Sequence, residues 1–332
     1  MPTIADVAKA AGVSKAAVSR VVGGKRSTTG VSAATQQRIL NVAQELGYVP
    51  NPLAVALSTG RTYNIGLLVA SPLAFLTHPN GALQYGAFVQ AAGEMGYRIA
   101  IVWPDARRRL ENRMIDGCIV YGVVSPALVE KMATLARQVP VVTTDRIPGA
   151  TQIVVEGQAD KGFRMAAEYL YKLGHRDIVT VEITTIPERQ ARASFEALAK
   201  EQGLDVRLRT LVDHWEARPY PSVEEIAHLR PLPTAIYAFD DGYARALIAR
   251  LTREGVRVPE DVSVFSRETH AKGDGIVPGL TGVDWHFERL SVDFVHQLIE
   301  LIERKERTDK VSVKPAEIEL VIQDSCAPPR GG

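Results

Sequence analysis

The sequence predicts a small all-α helix-turn-helix unit followed by α/β architecture, two doubly wound lobes in one chain. Three observations carry this reading. Helical periodicity folds back sharply at a glycine within the first 25 residues; from Asn64 short apolar runs alternate with amphipathic stretches; and a second such series begins near Gly162. With 332 residues and 46% apolar side chains, the chain can bury large cores, and its length suits two or three domains.

The head is justified helix by helix. Thr3-Ile4-Ala5-Asp6 has the form of a capping box with Asp for Glu, in which Thr3 is expected to accept from the Asp6 backbone. Ile4, Val7, Ala8 and Ala11 then recur on one helical face, and Gly12 ends that helix where a left-handed residue costs least. Ser14 caps the next helix two residues later, so the connection is a sharp corner. On the second helix Val18, Val21 and Val22 point one way, Ala16 and Arg20 lie nearly opposite, Lys15 occupies the first turn and Ser19 flanks the exposed face. Ser32 caps a third helix, with Ile39, Leu40, Ala43 and Leu46 expected inward and Gly47 at its stop.

Charge separates this head from the rest. Residues 1–61 carry seven cations against two carboxylates, a net +5 that leaves −4 for residues 62–332. A basic head on an acidic body implies a polyanionic partner for the head alone. The second helix suits double-stranded DNA: small side chains permit close approach, and Arg can pair bidentately with a guanine edge in the major groove.

TIADVAKAAGVSKAAVSRVV, VSAATQQRILNVAQELGYVPNPLAVAL and NIGLLV resemble the N-terminus of the LacI/GalR family of transcriptional repressors. The resemblance implies that Lys15, Ala16 and Arg20 read bases, and that Thr3, Ser14, Ser19, Thr35 and Asn51 contact phosphates. It also implies that residues from Asn51 to Gly60 form a hinge helix that orders on the operator and places Ala54 and Leu57 in the minor groove. The residues themselves allow such a helix, because Asn51 can cap and Pro52 suits a first turn, although so short a helix is marginal alone in water. GKRSTTG before Val31 is longer than the family's loop, and its Lys25 and Arg26 are open to either phosphate contact or surface exposure.

In the body, IGLLVA, YRIAIVW, GCIVYG and VPVVTT read as buried parallel strands, with helices over Gln84–Gly96 and Pro126–Gln138. DIVTVEI, LRTLV, AIYAF and VSVFS follow in the second series, spaced by helices over Glu188–Gln202, Ser222–Leu229 and Tyr243–Glu254. Lobes of this type hold ligands between them at the carboxyl ends of the strands. VPVVTTDR, LYKLGHRDIVTV, REGVRVPEDVSV and PGLTGVDWHFERL resemble the family's periplasmic-binding-protein-like core, which implies three crossovers between lobes and a homodimer. The expected division is a head over 1–49, a hinge helix and linker over 50–62, and an effector-binding and dimerisation core over 63–332. Within that core the first lobe takes 63–157 and 286–312, and the second takes 158–285 and 313–326.

The pocket departs from the sugar-binding members. Thr77-His78-Pro79-Asn80-Gly81 stands where they show Asn-Pro-Phe-Phe, Gln158-Ala159 replaces an Asp-Asn, and Gln190 takes the place of an effector-binding Arg. Asp145, Arg146, Arg192, Trp215, Asp240 and Glu268 are the pocket candidates that remain. Either the pocket takes a non-standard sugar or another metabolite, or effector binding has decayed and the body only dimerises. Persisting charges favour the first reading, since a dead pocket is free to fill with apolar residues. The segment between Trp103 and Asp116 is short for the family, which implies a trimmed helix.

No hydrolase, metalloprotease, dinucleotide or phosphate-loop motif occurs, and the seven histidines lack metal spacing, so the sequence predicts a regulator with no catalytic residues, metal or cofactor. His175 fits a helix end. Cys118 and Cys326 are too few and too far apart for a disulfide framework, no apolar run is long enough to span a membrane, and a cytoplasmic location is expected. No heptad repeat follows Ile322, which favours a dimer over a coiled-coil tetramer.

Overall fold

In the computed structural model the described residues are 2–22, 30–69, 72–77, 79–102, 114–121, 126–144, 147–155, 158–183, 189–213, 220–269, 277–304, 308–313 and 317–330. Three helices form the head: α1 (Ile4–Ala11), α2 (Lys15–Val22) and α3 (Ala33–Glu45). They enclose their own core of Val7, Ala8, Ala11, Val18, Val21, Ile39 and Ala43. Leu46, expected inward, is 41% exposed: it caps α3, and the left-handed Gly47 turns the chain so that Tyr48 packs on that core instead. A fourth helix, α4 (Pro52–Thr59), precedes the body.

Among the described residues the body contains two six-stranded sheets. The first comprises β1 (Asn64–Val69), β2 (Arg98–Val102), β3 (Gly117–Tyr121), β4 (Val141–Thr143), β5 (Thr151–Val155) and β11 (Lys310–Val313), in the order β11-β5-β4-β3-β1-β2 with every pair parallel. The second comprises β6 (Asp177–Ile183), β7 (Arg207–Asp213), β8 (Ala235–Ala238), β9 (Ser263–Ser266), β10 (Thr281–Asp284) and β12 (Glu319–Val321). Its order is β12-β10-β9-β8-β6-β7, and only β12 runs antiparallel to its neighbour. Strands β5, β10, β11 and β12 have no counterpart among the runs read from the sequence; they are three to five residues long, and only their neighbours make them strands.

Helices cover both faces of each sheet, as near-continuous apolar strands require. On the first sheet lie α5 (Pro72–Thr77), α6 (Pro79–Glu94), α7 (Pro126–Ala136) and α12 (Phe287–Arg304). Ile65, Leu67 and Ile119 face Phe88 of α6 and Phe294 and Leu298 of α12, whereas Leu68, Cys118 and Val120 face Leu128, Met132 and Leu135 of α7. The second sheet is covered by α8 (Gln158–Lys172), α9 (Arg189–Gln202), α10 (Pro221–Ala227) and α11 (Asp241–Arg253). Helix α6 begins at Pro79 rather than near Gln84, because α5 and α6 follow each other almost directly. The trimmed helix expected between Trp103 and Asp116, and the loop with Lys25 and Arg26, lie outside the described residues.

The chain passes between sheets at β5 to α8, β10 to α12 and β11 to β12. At the second crossing a Cβ on Gly162 of α8 would stand 2.3 Å from the Trp285 ring, so only glycine lets that helix lie so close.

Candidate nucleic-acid interface and ligand cleft

The recognition surface is set by local chemistry. Gly12 takes φ 64°, which turns the chain, and the Val13 amide donates to the Ala8 carbonyl at 3.0 Å. Ser14 Oγ then accepts from the Ala17 amide at 3.2 Å and starts α2. Ala17, Val18 and Val21 are buried, and Lys15, Ala16 and Arg20 lie exposed on the other side of the helix. Arg20 Nε donates to the Ala16 carbonyl at 3.3 Å, which lays the base of the guanidinium along that face.

Thr3 forms the expected capping box with Asp6. Its amide and hydroxyl both donate to Asp6 Oδ2, at 2.8 and 2.7 Å, and hold the Asp6 carboxyl below its ordinary range. Thr35 sits in the first turn of α3, its amide donating to Ser32 Oγ at 3.3 Å. Ser19 is half-buried and Asn51 is exposed, its carbonyl accepting from the Val55 amide at the start of α4. On α4, Ala54 is exposed and Leu57 is 89% exposed, while Val55 and Ala56 are half-buried.

A clamp ties α4 to the first lobe. Thr59 Oγ1 donates to the Val55 carbonyl, Arg61 donates to Tyr97 Oη and the Ile302 carbonyl, and Asp116 receives Thr62 and Tyr63. Tyr63 holds a left-handed φ of 55° there, with its ring 5.5 Å from that of Tyr97.

Between the lobes, Tyr121 ends β3 against the rings of Phe88 and Phe294, each 5.6 Å away. Burial pushes its phenol pKa up, with the Glu268 charge adding to this and Arg267 opposing it. Glu268 is buried with its carboxylate 3.5 Å from Arg267. Asn80, in the stretch that departs from the sugar-binding pattern, is 2% exposed, and neither of its amide atoms has a hydrogen-bond partner among the described residues.

The other pocket candidates divide. Asp240 is fully buried and accepts from the Tyr243 amide at 2.5 Å, so it caps α11 instead of lining open space. Arg192 pairs with Glu196 at 2.6 Å on the outer face of α9, in a shallow groove with Lys200 and Leu204, away from Glu268. Its neighbour in sequence, Ala191, takes the inward position. Asp145, Arg146 and Trp215 lie outside the described residues. Tyr121 and Arg267 were missed; the aromatic ending GCIVY at the carboxyl end of a buried strand was the signal available for Tyr121.

Comparison with known proteins decides the family. Residues 3–51 match the model of bacterial regulatory proteins of the lacI family, and residues 167–326 match a periplasmic binding protein-like domain. The chain belongs to the LacI family. It is a transcriptional regulator with a DNA-binding head, and its relatives of that family match it along nearly the whole length. The repressor PurR of Vibrio parahaemolyticus is 27% identical over 334 residues, covering 96% of this chain and 97% of the relative. The HTH-type transcriptional regulator DegA of Bacillus subtilis is 29% identical over 344 residues, 98% of each chain. PtxS of Pseudomonas plecoglossicida is 37% identical over 216 residues, 61% of each. In fold, the Lac repressor dimer bound to operator and the anti-inducer ONPF aligns at a TM-score of 0.76 with 22% identity, over 98% of this chain and 99% of that one. Among the described residues no helix is long and apolar enough to cross a membrane.

Proposed function

We propose that this LacI-family regulator is a cytoplasmic homodimeric repressor that binds a pseudo-palindromic operator and changes affinity when a small ligand enters the interlobe cleft. The observation that carries the reading is the exposed row Lys15, Ala16 and Arg20 on a helix whose opposite face is locked into a core. Lys15 and Arg20 read bases in the major groove, with Ala16 admitting the helix closely; Thr3, Ser14, Ser19, Thr35 and Asn51 serve the phosphates. Leu57, with Ala54 beside it, is the minor-groove wedge: an 89% exposed leucine has no stabilising role in the isolated chain and gains one against an unstacked base step.

Dimerisation sets two heads at a fixed spacing, as in the related Lac repressor dimer on its operator. Leu73, Leu76 and Leu83 on α5 and α6 expose apolar surface on the first lobe and support this. The division assigned is head 1–49, hinge 50–62 and core 63–332. The regulator performs no reaction of its own.

In the cleft, Glu268 and Tyr121 supply acceptor and donor, and the buried amide of Asn80 favours a retained ligand over a decayed pocket. An unpaired buried amide costs about 1–3 kcal/mol, which a polar ligand recovers. Asp145, Arg146 and Trp215 complete the proposed pocket.

Selection of bound duplexes from a random pool, repeated with sugars, nucleosides and organic acids, tests the whole reading. The expected product is a two-fold related motif whose enrichment changes with one metabolite class. Binding that ignores sequence would overturn the operator reading. Thermal stability unmoved by every metabolite, beside intact operator binding, would overturn the ligand.

A further inference from the structure

Asp284, His286 and Glu288 alternate along the second crossover, from the end of β10 into the first turn of α12. His286 Nδ1 stands 3.5 Å from Asp284 Oδ1 and 3.5 Å from Glu288 Oε1, and the three donor atoms all lie within 4.8 Å of one another. On the far side of the ring, Nε2 lies 3.9 Å from Glu319 Oε2 of β12. Asp284 and Glu319 are direct partners in the antiparallel β10–β12 ladder, an arrangement that like charges ordinarily destabilise. Three carboxylates thus surround one imidazole, whose own charge cannot exceed one.

We infer that Asp284, His286 and Glu288 form a binding site for a divalent transition-metal ion, with Glu319 as the group that orients the histidine. A nitrogen and two carboxylate oxygens around Zn²⁺ at about 2.0–2.2 Å lie about 3.3–3.5 Å apart in tetrahedral geometry, which is the spacing His286 keeps to both carboxylates. Glu288 is 41% exposed on its side chain and has the freedom to close the remaining edge. The imidazole needs its metal-bound nitrogen deprotonated and its other N–H held by an acceptor, and Glu319 is placed for the second role. Mixed nitrogen and oxygen ligands select Zn²⁺, Mn²⁺ or a neighbouring transition ion over Mg²⁺ and Ca²⁺.

The surroundings pre-organise this set. Trp285 donates from Nε1 to the Arg267 carbonyl at 2.6 Å and stacks on Phe287, so the backbone between the ligands is held from both sides. His286 adopts φ 50°, which turns its ring back toward residues 284 and 288. Its carbonyl already accepts from the Arg289 and Leu290 amides, so the start of α12 is not an open anion site. An ion here joins two of the three interlobe crossings, because Glu319 follows the third. The seven histidines showed no His-to-His spacing in the sequence; the signal was the alternation Asp-x-His-x-Glu.

The test is calorimetric titration of the metal-stripped full chain with ZnCl₂ and separately with MnCl₂. The expected result is one ion per chain. His286→Ala should abolish saturable binding, and Glu288→Gln should weaken it strongly. Glu319→Gln should weaken it about tenfold, as loss of a histidine-orienting carboxylate does. Circular-dichroism melts establish that each variant is folded, and Glu288→Gln carries the test if His286→Ala is not. The site is overturned if the wild-type chain binds neither ion, or if His286→Ala or Glu288→Gln binds as tightly as wild type. It is likewise overturned if the cluster responds only to protons, with the His286 ring shifting in NMR with pH but not with metal. Operator binding does not enter these readouts, so they stand apart from the regulatory reading.

Discussion

Asp116 grips Thr62 twice, accepting from its amide at 2.7 Å and from its hydroxyl at 2.9 Å through Oδ1, while Oδ2 takes the Tyr63 amide at 2.8 Å. The Asp116 amide in turn donates to the Asn64 carbonyl. One carboxylate therefore anchors the linker that follows α4 to the edge of β3.

Asp116→Ala should cost about 2 kcal/mol of stability, because two backbone amides and a hydroxyl lose a charged acceptor in partly buried surroundings. Hydrogen exchange should show the Thr62 and Tyr63 amides losing protection while those of β1 keep theirs. Equal loss across β1 would mean that Asp116 supports the whole lobe and not the linker.

What was legible in the sequence is what local chemistry determines. Gly12 and Ser14 specify the α1–α2 corner through one left-handed residue and one cap, and both work as read. The apolar runs of β1, β3, β6 and β9 declared themselves for the same reason, since a strand buried on both faces needs little context. Leu46 failed because periodicity does not say where a helix stops, and the turn at Gly47 gave its place to Tyr48. Arg192 failed by one position of helical phase. The influence of Glu268 on Tyr121 was beyond reach, because the two residues belong to separately folded lobes.

Arg20→Ala should weaken operator binding by about 1–3 kcal/mol and relax preference at one base pair in each half-site. The exposed Arg20 runs along α2 with Nε on the Ala16 carbonyl, so its loss leaves the head core of Val18 and Val21 intact. Binding assays across single-base operator variants measure this. A uniform loss over all variants would make Arg20 a phosphate contact.

Leu57→Ala should leave the folded chain nearly as stable as wild type, because the side chain is 89% exposed and buries little. On the minor-groove role proposed for Leu57, operator bending should fall. Circular-permutation gel shifts report the bend, and sedimentation reports an unchanged oligomer. An unaltered bend would remove Leu57 from the minor groove.

His175 should make the body sensitive to acid. Its imidazole is fully buried between the end of α8 and the C-terminal segment, and burial depresses its pKa to about 4, with Arg176 pushing the same way and the Ala327 backbone opposing. The native state therefore holds the ring neutral, while the unfolded chain protonates it near pH 6.5. Stability from this group is complete above pH 6.5 and is lost as the pH falls through the window down to about 4. The loss should be on the order of 2 kcal/mol, after allowing for partial solvation. Urea denaturation at intervals across that window should show the slope in wild type, and His175→Gln, which cannot titrate, should flatten it. An undiminished slope in the variant would place the acid sensitivity on another group.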